Sequence, residues 1–284
     1  MKTDIVRRQK EATMSQHPNP TPAEVYDQYM RSAIADPWTR VLLEYAAPQP
    51  GERVLDVACG TGSVAWHVAP LVGAEGKLVA LDINPDMLAV ARSLPPPAGA
   101  TIEWQEGDAV ALPLQDSAFD LVLCQQGLQF FPDRTAVMRE MRRVLTEGGR
   151  VALSVWQALE RHPVYEALFE ATTRRLNAAL HDVALSFSLW NAEELRELLS
   201  AAGFQRIEVT PRSLDIHFPS PERFVLLTVQ GAASSVPTFA QLDAAARSAL
   251  VEAVASETEA VVQRYRDGDK LTFPMSTHIA VAYA

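Results

Sequence analysis

Cysteine is nearly absent from the 284 residues: only Cys59 and Cys124 occur. Two thiols this far apart in sequence build neither a disulfide framework nor a cysteine-type zinc site, and the chain reads as an intracellular, cytoplasmic protein. Positive charge is also in short supply. Lysine and arginine number 25 against 35 aspartates and glutamates, a formal net charge of −10, and no long basic run occurs. Phosphate backbones repel such a chain, so nucleic acid is not an expected partner. Long apolar runs are missing as well. Phe224 to Leu242 carries no charge, yet Gln230, Gly231, Ser234, Ser235 and Pro237 interrupt it, where a membrane span needs roughly 20 predominantly apolar residues. Met1 to Lys10 is followed by no apolar stretch, which argues against a secretory signal. Residues 1–22 read as a flexible arm, with Met14 as an alternative start. Repeats, low-complexity tracts and metal-ligand spacings of His, Cys, Asp and Glu are lacking too, and no metal is expected.

What is present is 48% hydrophobic and 21% charged, the composition of a globular chain. Between residues 53 and 156 short apolar runs alternate with helix-like stretches, the pattern of parallel strands joined by helical crossovers. Strands are expected at 53–58, 77–83, 101–105, 120–125 and 150–156, most of them continuous apolar runs suited to a sheet covered on both faces. Helices are expected at 64–72, 85–93 and 134–145, the last stopping at Glu147-Gly148-Gly149. Two short helices, 22–30 and 37–47, precede this core. Helices at 163–180 and 191–202, a strand from 205 reaching towards 218, a helix at 239–266 and a final strand at 277–283 follow it.

The segment from Val54 to Ala65 is a hydrophobic strand running into a glycine turn and a helix. Gly60 and Gly62 lack the Cβ atoms that would keep a ligand off the backbone, and Asp56 offers a carboxylate to a cationic group or to the loop itself. Twenty residues past Gly62, Asp82 closes the second strand, where a carboxylate can accept both hydroxyls of a ribose. The third strand ends in Glu106-Gly107-Asp108-Ala109, and an aspartate there can take an adenine amino proton. Three strand ends thus outline a nucleoside pocket.

Taken in order, Asp56-Val57-Ala58-Cys59-Gly60-Thr61-Gly62, Leu81 to Leu88, Gly107-Asp108-Ala109 with Leu112-Pro113, Phe119 to Leu123 and Arg142 to Arg150 resemble the class I S-adenosylmethionine-dependent methyltransferases. The likeness is strongest to the branch holding the ubiquinone and menaquinone C-methyltransferases, and it covers about residues 25–157. It implies an α/β fold with a Rossmann-like, seven-stranded, doubly wound sheet, its last strand antiparallel, in one methyltransferase domain over 23–284. Helical insertions at 158–192 and 219–268 would cap the acceptor site. It also implies roles. Asp56, Ala58, Gly60 and Gly62 would surround the methionine part of S-adenosyl-L-methionine, and Asp82 would bind the ribose. Ile83 and Met87 would flank adenine, with Gly107, Asp108 and Ala109 at its amino group. Gln125 would offer its backbone carbonyl to the ammonium. Tyr26 to Met30 is similar to the family's aromatic N-terminal helix, which places Tyr29 and Met30 against the cofactor.

Methyl transfer from a sulfonium needs alignment and a dry site more than a strong acid or base. The acceptor would approach past Gln126, Leu128, Phe130, Phe131 and Trp156, with Trp190 on a following lid; these side chains suit a small molecule with an apolar or aromatic portion. Phe130 and Phe131 fit equally well as core residues seating the next helix, and 163–180 as a plain covering helix. His67, His162, His181 and His217 read as packed or surface histidines rather than bases. No catalytic residue is assigned, and the chain is expected to work as a monomer or homodimer. Two alternatives remain. Gly60, Gly62 and Ala65 with Asp82 also fit a relaxed NAD(P) dinucleotide fingerprint, and a non-catalytic cofactor-binding scaffold would keep the same motifs.

Overall fold

The computed structural model describes residues 20–284, so the arm expected over 1–22 lies, up to residue 19, outside the described residues. The chain enters through α1 (Pro22–Val25), started by a Thr21 capping box in which Thr21 and Glu24 exchange side-chain-to-backbone hydrogen bonds. It continues without a break through a π-helical stretch, Tyr26–Ala35, into α2 (Asp36–Ala46). The two separate helices expected here are therefore one helical run. Pro37 has no N–H to give to a carbonyl one turn back, and the backbone accommodates it by widening the preceding turns: the Asp36 N–H reaches the Arg31 carbonyl, five residues earlier.

Parallel strands β1 (Arg53–Val57), β2 (Lys77–Asp82), β3 (Ile102–Glu106), β4 (Phe119–Gln125) and β5 (Leu145–Trp156) alternate with α3 (Ser63–Val72), α4 (Pro85–Ser93) and α5 (Arg134–Val144). Then come α6 (Pro163–Leu176), α7 (Leu180–Val183), α8 (Ala192–Ala201), β6 (Gln205–Phe218), α9 (Pro221–Ala233), α10 (Pro237–Ala240), α11 (Ala244–Arg264), β7 (Arg266–Asp267) and β8 (Lys270–Tyr283). The sheet runs β3-β2-β1-β4-β5-β8-β6, with the two-residue β7 paired to β8. β8 lies antiparallel between β5 and β6, as expected. This is a Rossmann-like fold, its seven-strand path carrying one small extra hairpin strand.

Alternation along each strand divides the core. Leu121 and Leu123 of β4 join Val54, Leu78 and Ile279 against α2 and α3, whereas Val122 and Cys124 join Leu55, Leu153 and Ala280 against α5 and α8. A third cluster belongs to the cap. Phe169, Phe224, Val254 and Phe273 pack α6, α9 and α11 onto the far half of β8. Among the described residues no helix is long and apolar enough to cross a membrane; the uncharged run 224–242 becomes most of α9 and all of α10.

The final strand starts at Lys270, ahead of 277, and the helix expected over 239–266 is divided into α10 and α11. Two other boundaries move for physical reasons. α6 stops at Leu176, short of 180, because Asn177 turns left-handed with φ 50° and closes the helix. β5 begins at Leu145, well before 150: Glu147-Gly148-Gly149 is an irregular stretch of strand opposite Phe119 to Leu121, not a helix exit.

Candidate functional site

The strand order reverses direction between β1 and β4, and a crevice must open outside the carboxyl ends of the strands at such a point. A cavity of about 1180 Å³ lies there. Single small ligands usually occupy roughly 300–1,000 Å³, so the space suits two molecules side by side. One half is walled by the ends of β1 to β4 and the other by the cap.

Asp56 stands at the floor, 1% exposed. Its Oδ2 accepts the Ala65 N–H in the first turn of α3 at 3.1 Å, and its Oδ1 is buried without a partner. Burial pushes this carboxyl well above the usual range, with the nearby Asp82 charge adding to the shift. Asp82 is held differently. Its two oxygens accept the Gly60 N–H at 2.7 Å and the Asn84 N–H at 2.8 Å, which fixes the carboxylate in the cavity wall and ties the glycine turn to β2. Asp108 caps a short turn through the Val110 N–H at 3.0 Å. Arg143 of α5 anchors this loop from behind by binding the Leu112 and Leu114 carbonyls at 3.0 and 2.8 Å.

The turn at β1 carries Ala58 at φ 56° and Gly60 at φ 55°, and Gln126 after β4 sits at φ 52°. Left-handed backbone at Ala58 and Gln126 is a strained choice for residues with a Cβ, and both face the cavity. The N-terminal helical run forms the lid. Arg31, 8% exposed, bonds Asp27 at 3.0 Å and the Thr61 carbonyl at 3.5 Å, and its guanidinium lies 5.4 Å from the Trp66 ring centre. Ser63 Oγ donates to Asp36 at 2.6 Å, and Gln125 Nε2 donates to the Ala35 carbonyl at 3.0 Å. Lid, glycine turn and β4 are thereby one connected unit.

The cavity brings together Met30, Asp56, Ala58, Gly60, Asp82, Ile83, Met87, Gly107, Asp108, Ala109 and Gln125 of the expected cofactor residues, and Gln126, Phe130, Phe131 and Trp156 of the expected acceptor residues. Four expected residues lie elsewhere, the first being Leu128, which is fully buried in the core with residues of α5 and α8. Tyr29 packs against the cap core under Arg223, whose guanidinium is 4.7 Å from its ring centre, and Tyr26, one turn earlier, lines the cavity instead. Gly62 faces backwards: a Cβ there would collide with the Trp104 ring and crowd Trp66. Trp190 is 51% exposed and outside the cavity. The four histidines read as structural stay away from it too. His162, fully buried, has both ring nitrogens within 3.0 Å of backbone groups of Ala158 and Ser276, and burial lowers its pKa. His67 bonds the Ser63 carbonyl, His217 bonds Thr272 and His181 is exposed beside Asp182.

Sequence reasoning missed Trp38 and Thr61, whose Nε1 and Oγ1 are buried in the cavity wall without partners. The second half comes from the N-terminal helix and the two segments expected to cap the acceptor, but sequence reasoning did not single out Tyr165, Phe169 or the α9 face of Leu227, Thr228 and Gly231 as its lining. The signal for α9 was there, a chargeless run in which small and hydroxyl residues recur. Cys59 and Cys124 are free and buried, and burial raises the thiol pKa of both, Cys124 to about 12. Electrostatically the cavity is one-sided. Asp56, Asp82, Asp108 and Asp133 line it, and no lysine, arginine or histidine among the described residues does.

Residues 23–176 match the ubiE/COQ5 methyltransferase family. The chain is 37% identical over 133 residues to a 2-phytyl-1,4-naphtoquinone methyltransferase of Synechococcus elongatus, covering 46% of this chain and 55% of that one. The match thus spans little more than half the length of that relative. A ubiquinone/menaquinone biosynthesis C-methyltransferase of Xylella fastidiosa is 34% identical over 196 residues, 64% of this chain and 78% of the relative. The fold is shared with phosphoethanolamine N-methyltransferase 2 of Haemonchus contortus, solved with S-adenosyl-L-methionine, at a TM-score of 0.52 and 20% identity over 87% of this chain and 52% of that one. With more than half its length in the matched region and the strand order in place, the chain belongs to the ubiE/COQ5 methyltransferase family.

Proposed function

We propose that the chain is an S-adenosylmethionine-dependent methyltransferase acting on a small, uncharged acceptor with a large apolar or aromatic part, such as the quinone-type rings in the names of its Synechococcus and Xylella relatives. The observation that carries this reading is the set of polar atoms left without partners around the first half of the cavity. Asp56 Oδ1 and Gln125 Oε1 are acceptors; Trp38 Nε1 and Thr61 Oγ1 can donate. Buried polar groups demand partners. An amino-acid zwitterion supplies both kinds, its ammonium to the acceptors and its carboxylate to the donors.

In this reading Asp82 holds the ribose, each of its oxygens having a lone pair to spare beyond its backbone bond. Ile83 and Met87 lie against the adenine, with Gly107, Asp108 and Ala109 at its amino edge. An aspartate-lined wall with no facing cation among the described residues favours a positively charged ligand. When bound, the cofactor supplies a methyl group on a sulfonium. The protein's part is to align, exclude water and repel anions. Phe130 and Phe131, following β4, and Trp156, at the end of β5, line the cavity the acceptor's reacting atom must enter. Free, buried thiols suit the reducing cytoplasm.

Asp56 also speaks against a dinucleotide. Its carboxylate caps the start of α3, the position that dinucleotide enzymes leave to a pyrophosphate. Calorimetric titration is the direct test: S-adenosylmethionine and S-adenosylhomocysteine should bind at micromolar concentrations while NADH and NADPH do not. Binding of the nicotinamide ligands alone overturns the proposal. Bound S-adenosylmethionine that is never converted to S-adenosylhomocysteine with any acceptor would leave a scaffold.

Proton release should accompany binding. The Asp56 pKa is raised in the free site, and an ammonium beside its orphaned oxygen favours the anion and lowers it. Between the lower bound-state value and the higher free-state value, S-adenosylhomocysteine must displace a proton. Binding enthalpies in phosphate and Tris should therefore differ by the buffers' ionisation heats, and Asp56→Asn should abolish the difference. Equal enthalpies in both buffers at every pH from 5 to 8 would remove Asp56 from the ammonium.

A further inference from the structure

The second half of the cavity is built from rings and methyl groups, with very few polar atoms among them. Trp156, Phe169, Phe187 and Leu227 form its walls. Tyr165 on α6 is 8% exposed and enclosed by Phe169, Phe187, Phe224 and Phe273 at ring-centre distances of 5.7, 5.7, 5.2 and 6.1 Å. Its hydroxyl has no hydrogen-bond partner among the described residues. A buried phenol that has none in the fold must find one in the cavity it lines.

Thr228 on α9 lies one turn after Phe224, whose ring meets Tyr165 edge to face, and is 5% exposed. Buried helical threonines normally satisfy themselves by donating to the carbonyl four residues back. Thr39, Thr172 and Thr258 do so here, at 2.9, 2.7 and 2.8 Å. Thr228 makes no such bond, and its Oγ1 is buried without a partner in the cavity wall.

We infer that Tyr165 and Thr228 are specificity-determining residues that bind an oxygen carried by an otherwise apolar, uncharged ring in the acceptor half of the cavity. The inference rests on the methyltransferase reading and adds the acceptor's polar handle to it. Burial pushes the Tyr165 phenol up, so it remains a neutral donor at any working pH. The acidic cavity wall, with no facing cation among the described residues, disfavours acceptors that carry their oxygen as a carboxylate or phosphate. α9 lies beyond residue 176, where the family match ends, so the Thr228 contact belongs to this chain's own cap.

The test uses 1-naphthol, naphthalene and 1-naphthoate, followed by tryptophan fluorescence with and without S-adenosylhomocysteine. The protein should bind 1-naphthol at least about tenfold more tightly than naphthalene, since each hydrogen bond contributes about threefold to tenfold. Tyr165→Phe and Thr228→Val, which keep ring and shape, should each lower that preference by about threefold to tenfold and leave naphthalene affinity unchanged. 1-Naphthoate should bind more weakly than 1-naphthol. A wild-type preference under about threefold, its survival in both variants, tighter binding of 1-naphthoate, or failure to bind any of the three overturns the assignment. Failure of S-adenosylhomocysteine to bind strikes the methyltransferase reading instead, because the naphthol ratio is read without it as well.

Discussion

Asp82→Ala should weaken S-adenosylhomocysteine binding by about 10²- to 10⁴-fold in calorimetric titration. Hydrogen bonds to a charged group contribute about 1.5–3 kcal/mol each, and two ribose hydroxyls on one carboxylate make that about 3–6 kcal/mol, which sets the range. The geometry favours the upper part of it. The carboxylate is already immobilised by the Gly60 and Asn84 N–H groups at 2.7 and 2.8 Å, so no ordering cost is left to the ligand. The same two bonds hold the glycine turn against β2, and the alanine variant also releases the loop that shapes the methionine end of the site. Asp82→Asn keeps the volume and one acceptor oxygen and should lose about tenfold. Thermal unfolding of both variants separates binding from folding. A folded Asp82→Ala protein with affinity reduced less than about fivefold would take the ribose away from this residue.

The parallel strands were readable because a sheet covered on both faces demands near-continuous apolar runs, and β1, β2 and β4 lie within one residue of where those runs place them. The errors share a cause. Nothing local says that Leu145 to Gly149 will pair with Phe119 to Leu121, since that decision is made by a neighbouring strand some 25 residues away. Likewise Asp36-Pro37 looks like a break between helices, and only the contacts of Arg31 and Asp36 with the glycine turn hold the chain helical across it. The site divides the same way. Asp56, Gly60, Asp82 and Asp108 were legible because each sits at a strand end, where the motif and its position are the same information. Tyr29 and Trp190 were chosen for being aromatic near the right place. Choosing Tyr26 over Tyr29 needs the helical phase, which the π-helical winding alters, and Tyr165 and Thr228 come to line one cavity only once α6 and α9 pack together.

The two glycines of the turn, identical in the motif, should fail in opposite ways. Gly62 starts α3 with φ 89°, and a Cβ there points away from the cavity into the Trp104 ring and to within 3.1 Å of Trp66. Left-handed backbone costs a residue with a Cβ about 1–2 kcal/mol, and overpacking a filled interior about 1–3 kcal/mol. Gly62→Ala should therefore lose about 2–5 kcal/mol of stability, a fall in Tm of about 4–20 °C for a chain of this size, while the folded fraction keeps its affinity for S-adenosylhomocysteine. Gly60, at φ 55°, has nothing within 4 Å of an added Cβ. Gly60→Ala pays only the backbone term, so its Tm should drop by a few degrees, and the new methyl group enters the open space that the ligand needs. Gly60→Val, larger and β-branched, should abolish measurable binding. Paired melting curves and titrations decide the matter: a Gly60→Val protein that binds normally, or a Gly62→Ala protein that keeps its Tm and loses affinity, would mean that the turn presents the other glycine to the ligand.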